Sequence, residues 1–229
     1  MNNNKTNIPV LFENEDIIVA DKPSGLLVHA YKKETNERMH LLRLLREQTG
    51  HYLYPIHRLD RPVSGIVLFG KTPGIVREIK SVWHSESTIK EYIALVKGEL
   101  AETGSFSFPL LNEYREKQTA ITHYYPELNF GETTLVKIRL QTGRKHQIRR
   151  HFSRRCANVI GDTKYGQGSI NRFFKERYGL IRIFLHAHYF KITMPEAGGT
   201  IEINSPLPTD LQKIMDRLNK EKQIHDPFK

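Results

Sequence analysis

Runs of strand length recur along this chain without a helix following each one, and that rhythm restricts its fold more than any other feature. β-type runs occupy residues 10–12, 17–20, 65–70, 90–96, 122–125, 134–140, 183–193 and 200–203, bounded by Gly, Pro, Asn and Asp. Helical spacing appears in only a few places. Leu41, Leu44 and Leu45 follow i, i+3, i+4 spacing and Gly50 stands where a helix commonly stops, which predicts a helix over 40–49. Thr72-Pro73 supplies an N-cap and a first-turn proline for a helix through Ile75, Ile79, Val82 and Trp83. A last helix uses Leu211, Ile214, Met215 and Leu218. Without regular βαβ alternation, the expected class is α+β: a mixed, largely antiparallel sheet flanked by a few helices.

The 229 residues suffice to bury a core without disulfides or metals. No repeat or linker rich in Pro, Gly and Ser divides them, so residues 9–229 read as one domain behind a polar tail over 1–8. Thirty-five Lys and Arg against 25 Asp and Glu leave a formal charge of +10, which favours a polyanionic partner such as nucleic acid. Cys156 is the single cysteine, so internal disulfides and Cys-pair zinc sites are excluded. No apolar run approaches a membrane span and the start lacks the apolar stretch of a signal peptide, so a cytoplasmic location is expected.

Two stretches carry candidate chemistry. In His57-Arg58-Leu59-Asp60-Arg61-Pro62-Val63-Ser64-Gly65 an acid lies between two arginines, in a loop that Pro62 keeps from being helical, just before an apolar strand. A surface carboxylate in an ordinary ion pair fits the same pattern. In Thr142-Gly143-Arg144-Lys145-His146-Gln147-Ile148-Arg149-Arg150-His151-Phe152 a strand ends and a helix is expected to begin, offering N–H groups and a positive dipole end to a phosphate. Ile148, Phe152 and Cys156 make its packing stripe; Lys145 with Arg149, and Arg150 with Arg154, make two basic stripes. A merely solvated basic face is the competing reading.

Eleven histidines raise the question of a metal. His146 and His151 diverge on a helix, and His186 and His188 equally suit one buried, hydrogen-bonded strand face, so no metal site is expected. In Lys90-Glu91-Tyr92-Ile93-Ala94-Leu95-Val96, Tyr92, Ala94 and Val96 share one face.

Together, residues 57–65 and 142–151 closely resemble the signature motifs of the RluA family of pseudouridine synthases. Asp21-Lys22-Pro23-Ser24-Gly25 and Lys90-Glu91-Tyr92 agree with it. The resemblance runs from about residue 11 to about 206. Arg61-Pro62, residues 143–151, Ile160-Gly161-Asp162 and Leu185-His186-Ala187 are most similar to the TruC branch, which modifies tRNA. The resemblance implies the pseudouridine synthase fold and a cofactor-free isomerase that converts uridine to pseudouridine in RNA. Transfer RNA is the expected substrate; ribosomal RNA, or a non-catalytic RNA-binding or RNA-folding role, is the alternative. No S4 module precedes the resemblance, so the catalytic domain is expected to hold RNA itself, as a monomer, without DNA or membrane.

By the same resemblance Asp60 is the nucleophile, Tyr92 the aromatic that packs on the target base, and Arg149 the cation paired with Asp60. Ile148 is the apolar wall behind the base, and Arg58 lies near the space a flipped base vacates. His57, Arg144, Lys145 and Arg150 complete the expected substrate contacts. Val63 replaces the family's usual Thr and Met194-Pro195 a common His-Pro. The chemistry suits the residues. Isomerisation breaks the N-glycosidic bond and rejoins the base through carbon 5 without net redox change, and an ionised carboxylate can start it. Burial under a base raises an Asp pKa, whereas a cation within about 4 to 6 Å lowers it. A hydrolytic glycosidase would need two carboxylates, and these motifs offer one.

Overall fold

The structure, a computed structural model, describes residues 7–30, 39–196 and 199–224. Its elements run in the order β1 (Val10–Glu13), β2 (Ile17–Lys22), α1 (Leu41–Thr49), β3 (Tyr54–Pro55), β4 (Ser64–Gly70), α2 (Pro73–Val82), β5 (Ile89–Lys97), β6 (Gly104–Phe106), β7 (Leu110–Leu111), β8 (Lys117–Gln118), β9 (Thr122–Asn129), β10 (Thr133–Leu140), α3 (Gln147–Arg154), α4 (Gly168–Tyr178), β11 (Leu185–Thr193), β12 (Thr200–Asn204) and α5 (Thr209–Ile224). Strands and helices alternate irregularly, the α+β arrangement expected. The chain packs as two compact units, each made from two stretches: residues 1–89 with 187–205, and residues 90–186 with 206–229.

In the first unit β2 is the inner strand, antiparallel to β1 through Phe12↔Val19 and to β4 through Ile18↔Phe69 and Lys22↔Gly65. Ile17, Val19, Ile66 and Leu68 point to one face, where α2 buries Ile75 and Ile79 and the returning β11 and β12 bring Phe190, Ile192 and Ile203. The opposite face, Ile18, Ala20, Val67 and Phe69, is equally buried. The helix signals read from sequence operate as expected. His40 Nδ1 accepts the Arg43 N–H at 3.2 Å to open α1, and Gly50, at φ 73°, closes it. Thr72 Oγ1 accepts the Ile75 N–H at 3.3 Å ahead of Pro73. Of the tail expected over 1–8, residues 1–6 lie outside the described residues; Ile8 is buried, and the Gln48 side chain bonds both its N–H and its C=O at 2.9 Å.

In the second unit β5 pairs with β10 through Tyr92↔Ile138, and β10 with β9 through Ile138↔Tyr124. Residues directly opposite across strands point to the same side, so Tyr92, Ile138 and Tyr124 share a face. Phe152 of α3 packs on that face, its ring 5.7 Å from Tyr124 and 5.1 Å from Phe106. Leu95 turns to the other face, into a core with Phe174, Tyr178, Leu211, Ile214 and Met215 from α4 and α5. Several expectations change here. β9 runs on to Asn129 through Pro126, with a register shift at Leu135/Val136 on its partner that absorbs the missing donor. β6, β7 and β8 are short and α4 is polar along much of its surface, so none was anticipated. α3 ends at Arg154, and Cys156 lies beyond it, exposed at φ 58°, rather than on the packing stripe.

One backbone position in the first unit fixes a close approach. Gly65 sits at φ 115°, and a Cβ there would run into the backbone of Ala187. Gly65→Ala should therefore destabilise the fold beyond the roughly 1–3 kcal/mol of backbone strain alone, lowering the urea midpoint. An unchanged midpoint would show that β11 gives way at no cost.

Candidate active site

The site residues expected from sequence divide between the units. Asp60, Arg58 and His57 belong to the first; Tyr92, Arg144, Lys145, Ile148, Arg149 and Arg150 belong to the second.

Asp60 is half-buried on a loop whose ends are sunk into the core by Leu59 and Val63. Its carbonyl accepts the Val63 N–H at 3.0 Å, which closes the turn over Arg61 and Pro62. That turn is clasped by the Lys22-to-Gly25 segment. Gly25 N–H donates to Arg61 O at 2.8 Å, Arg61 Nε to Gly25 O at 2.9 Å, and Ser24 Oγ to Pro62 O at 2.8 Å. Beneath them lies Lys22, wholly buried, whose Nζ donates to Pro23 O at 2.9 Å, Leu26 O at 2.8 Å and Arg61 O at 3.2 Å. Two motifs paired by resemblance are thus stitched together by hydrogen bonds. Arg58 is exposed. His57 supports the loop from below: its Nε2 accepts the Leu68 N–H at 3.2 Å, and its ring lies 4.9 Å from Trp83.

In the second unit Tyr92 is half-buried on the sheet face that α3 covers, so Tyr92, Ile148 and Arg149 lie on one side of the same sheet. Burial, and then the Arg139 charge, pull the ammonium of Lys90 down to about 8.

The helix start differs from expectation. α3 opens at Gln147, after His146 at φ 55°, so Arg144 and Lys145 precede the helix and no Lys145–Arg149 stripe forms. Arg149 is 6% exposed rather than part of a basic surface. Its guanidinium forks onto Asp162, Nε to Oδ2 and Nη2 to Oδ1, both at 2.8 Å, and lies 5.1 Å from the centre of the Tyr165 ring. Burial alone would raise the Asp162 carboxyl pKa, but the Arg149 bonds and the N–H groups of Tyr165 and Lys164 outweigh it and hold the carboxyl below the usual range. Nδ1 of His146 bonds the Tyr165 hydroxyl at 2.9 Å.

Gln147, given no role by sequence, holds this segment in place. Its Oε1 accepts from Thr142 Oγ1 at 2.8 Å and from the Arg144 N–H at 2.9 Å. Its Nε2 donates to Ile121 O at 3.0 Å and to Thr122 Oγ1 at 2.9 Å, which fills the amide's capacity. Buried His151 extends the network. The Phe108 carbonyl, 3.1 Å from Nε2, can only accept, so Nε2 carries the proton, and Nδ1 accepts from Thr122 Oγ1 at 3.0 Å. Arg150 is half-buried and reaches Lys145 O at 3.4 Å; Arg154 lies 5.1 Å from the centre of the Phe108 ring.

Burial pushes the His151 pKa down to about 4, with Arg154 and Arg150 adding and the Phe108 carbonyl opposing. The ordinary imidazole value is about 6.5, so between about 6.5 and 4 the unfolded chain takes up a proton that the folded one refuses. Stability is then complete above about 6.5 and falls as the pH drops toward 4. Urea midpoints measured across that range should fall with pH in the wild type and fall less in His151→Gln; parallel curves would remove His151 as the cause.

A family model described as RNA pseudouridylate synthase matches residues 16–154. A curated protein named tRNA pseudouridine synthase C from Haemophilus ducreyi is 32% identical over 231 residues, covering 92% of this chain and 95% of that one. One of the same name from Vibrio cholerae is 29% identical over 239 residues, covering 95% and 98%. Among solved structures, human RNA pseudouridylate synthase domain containing 4 shares the fold, with a TM-score of 0.76 at 21% identity over 92% of each chain.

Proposed function

The chain belongs to the RNA pseudouridylate synthase family, and from that premise we propose that it isomerises a specific uridine to pseudouridine in transfer RNA, with Asp60 as the nucleophile. The observation that carries this reading is the Asp60 loop itself, in which the Arg61 and Pro62 carbonyls are tied down by Lys22, Gly25 and Ser24, so the carboxylate is presented from a braced turn. The names of the curated relatives favour tRNA over ribosomal RNA. Tyr92 is proposed to stack on the displaced base, Ile148 to wall it, and Arg149 to pair with the reacting carboxylate. Arg58, His57, Arg144, Lys145 and Arg150 are proposed to contact the RNA.

A paired uridine must leave its stack before a carboxylate can reach it, which costs a few kcal/mol. Stacking on an aromatic ring returns about 1–3 kcal/mol per base. A protein that only binds or folds RNA would keep the stacking and lose nothing when the carboxylate is removed.

Release of tritium from tRNA labelled at uracil carbon 5 separates these outcomes. Wild type should release it, and Asp60→Asn should abolish release while leaving tRNA affinity within a few-fold. No release from wild type would leave the binding role standing, and detached uracil would indicate a glycosidase. In a second measurement, Arg150→Ala with Arg154→Ala should weaken tRNA binding and reduce the slope of log affinity against log salt by about one for each phosphate no longer neutralised. An unchanged slope would take these two arginines out of the RNA footprint.

A further inference from the structure

We propose that the outer side of α1 is a track for an RNA strand, with a phosphate on Arg43 and one base stacked on the exposed ring of Tyr52. This role rests on the RNA-modifying reading above and adds a binding surface whose Tyr52 end lies away from the reacting uridine.

The helix turns Leu41, Leu42 and Leu45 inward, which leaves Arg43 exposed and Arg46, three residues on, half-buried beside it. His40 caps the helix at one end, near His29, Arg43 and Arg46. Burial and then the charge of Arg58 hold His29 below its ordinary pKa; burial and then His29, Arg43 and Arg46 do the same to His40. The permanent charge of the arginines gives this side a field that favours a phosphate. Arg43 pairs along this side with Glu47 at 2.7 Å, and both side chains are about half exposed (51% and 50%), a geometry that holds the arginine only weakly.

At the other end an aromatic platform is built. Arg46 Nη2 donates to Leu53 O at 2.6 Å, which lays the guanidinium 4.0 Å from the centre of the Tyr52 ring. Tyr54 meets the same ring edge-on, with centroids 5.0 Å apart at 62°. Tyr52 is nonetheless 63% exposed, so much of this cation-backed ring meets solvent. An exposed aromatic ring in a basic surround takes an unpaired base by stacking.

The register of the first unit sets the distance. Tyr54 pairs with Gly70 at one end of β4, whereas Asp60 precedes the Ser64 end, about 20 Å away at the rise of a strand. The track therefore serves binding and not the chemical step. With fluorescently labelled, unmodified tRNA as the probe, Tyr52→Ala should weaken affinity roughly 5- to 100-fold and raise KM without changing kcat, while Tyr52→Phe stays within about twofold of wild type. Arg43→Gln should lower the salt slope by about one. Because Tyr52 is so exposed, the thermal midpoint of Tyr52→Phe should stay at the wild-type value and that of Tyr52→Ala should fall by only the few degrees that losing the Arg46 contact costs. Wild-type affinity and slope in both Tyr52→Ala and Arg43→Gln would overturn the track, as would a parallel loss in Tyr52→Phe. Affinity is read without turnover, so a wild type that binds tRNA but forms no pseudouridine would instead overturn the function proposed above.

Discussion

A lysine amine with no exposure to water must find acceptors for its N–H groups inside the protein, and the first unit is organised around that demand. Lys22 ends β2 and meets three carbonyls, two from its own turn and one from Arg61 beside Asp60. An apolar residue at this position would leave those carbonyls without that donor, and a buried acceptor stripped of its partner costs about 1–3 kcal/mol. The clasp therefore ties the shape of the carboxylate loop to the end of β2, an inner strand of the unit's sheet. Where flexibility at a catalytic loop would spread a carboxylate over many orientations, this arrangement narrows them before any ligand arrives.

The second unit solves the same problem with neutral groups. Gln147, Thr122 and His151 form a chain in which each donor meets one acceptor, and burial keeps the imidazole uncharged. Arg149 rides on the helix this chain anchors and is itself fixed by Asp162. A buried ion pair of this kind is weak evidence for stability but strong evidence for orientation, since a forked guanidinium has one way to lie.

How much of this was legible depended on whether the determinant was local. α1 and α2 could be read because their caps, Gly50 and Thr72-Pro73, act within one turn of the residues they stop or start. The class of fold followed from the strand rhythm. The burial of Arg149 could not be read, because the partner that makes it tolerable stands 13 positions along the chain and meets it only after the loop at Gly161 turns. Likewise the spacing of Lys145 and Arg149 suggested a shared helical face until left-handed His146 placed one of them before the helix. Lys22 and Gln147 were inside recognisable motifs, but their roles are long-range hydrogen bonds that no pattern of neighbours encodes.

The first unit is interrupted: its core needs Phe190, Ile192 and Ile203, which are made well over a hundred residues after Ile17 and Val19. At synthesis rates of about 5–20 residues per second, the β1–β2–β4 layer waits on the order of ten seconds with one apolar face covered only by α2. During that interval the nascent chain presents part of an apolar sheet surface, the kind of surface on which incomplete chains aggregate. The same late closure means that removing the last fifth of the polypeptide would leave even the amino-terminal half unable to finish its interior.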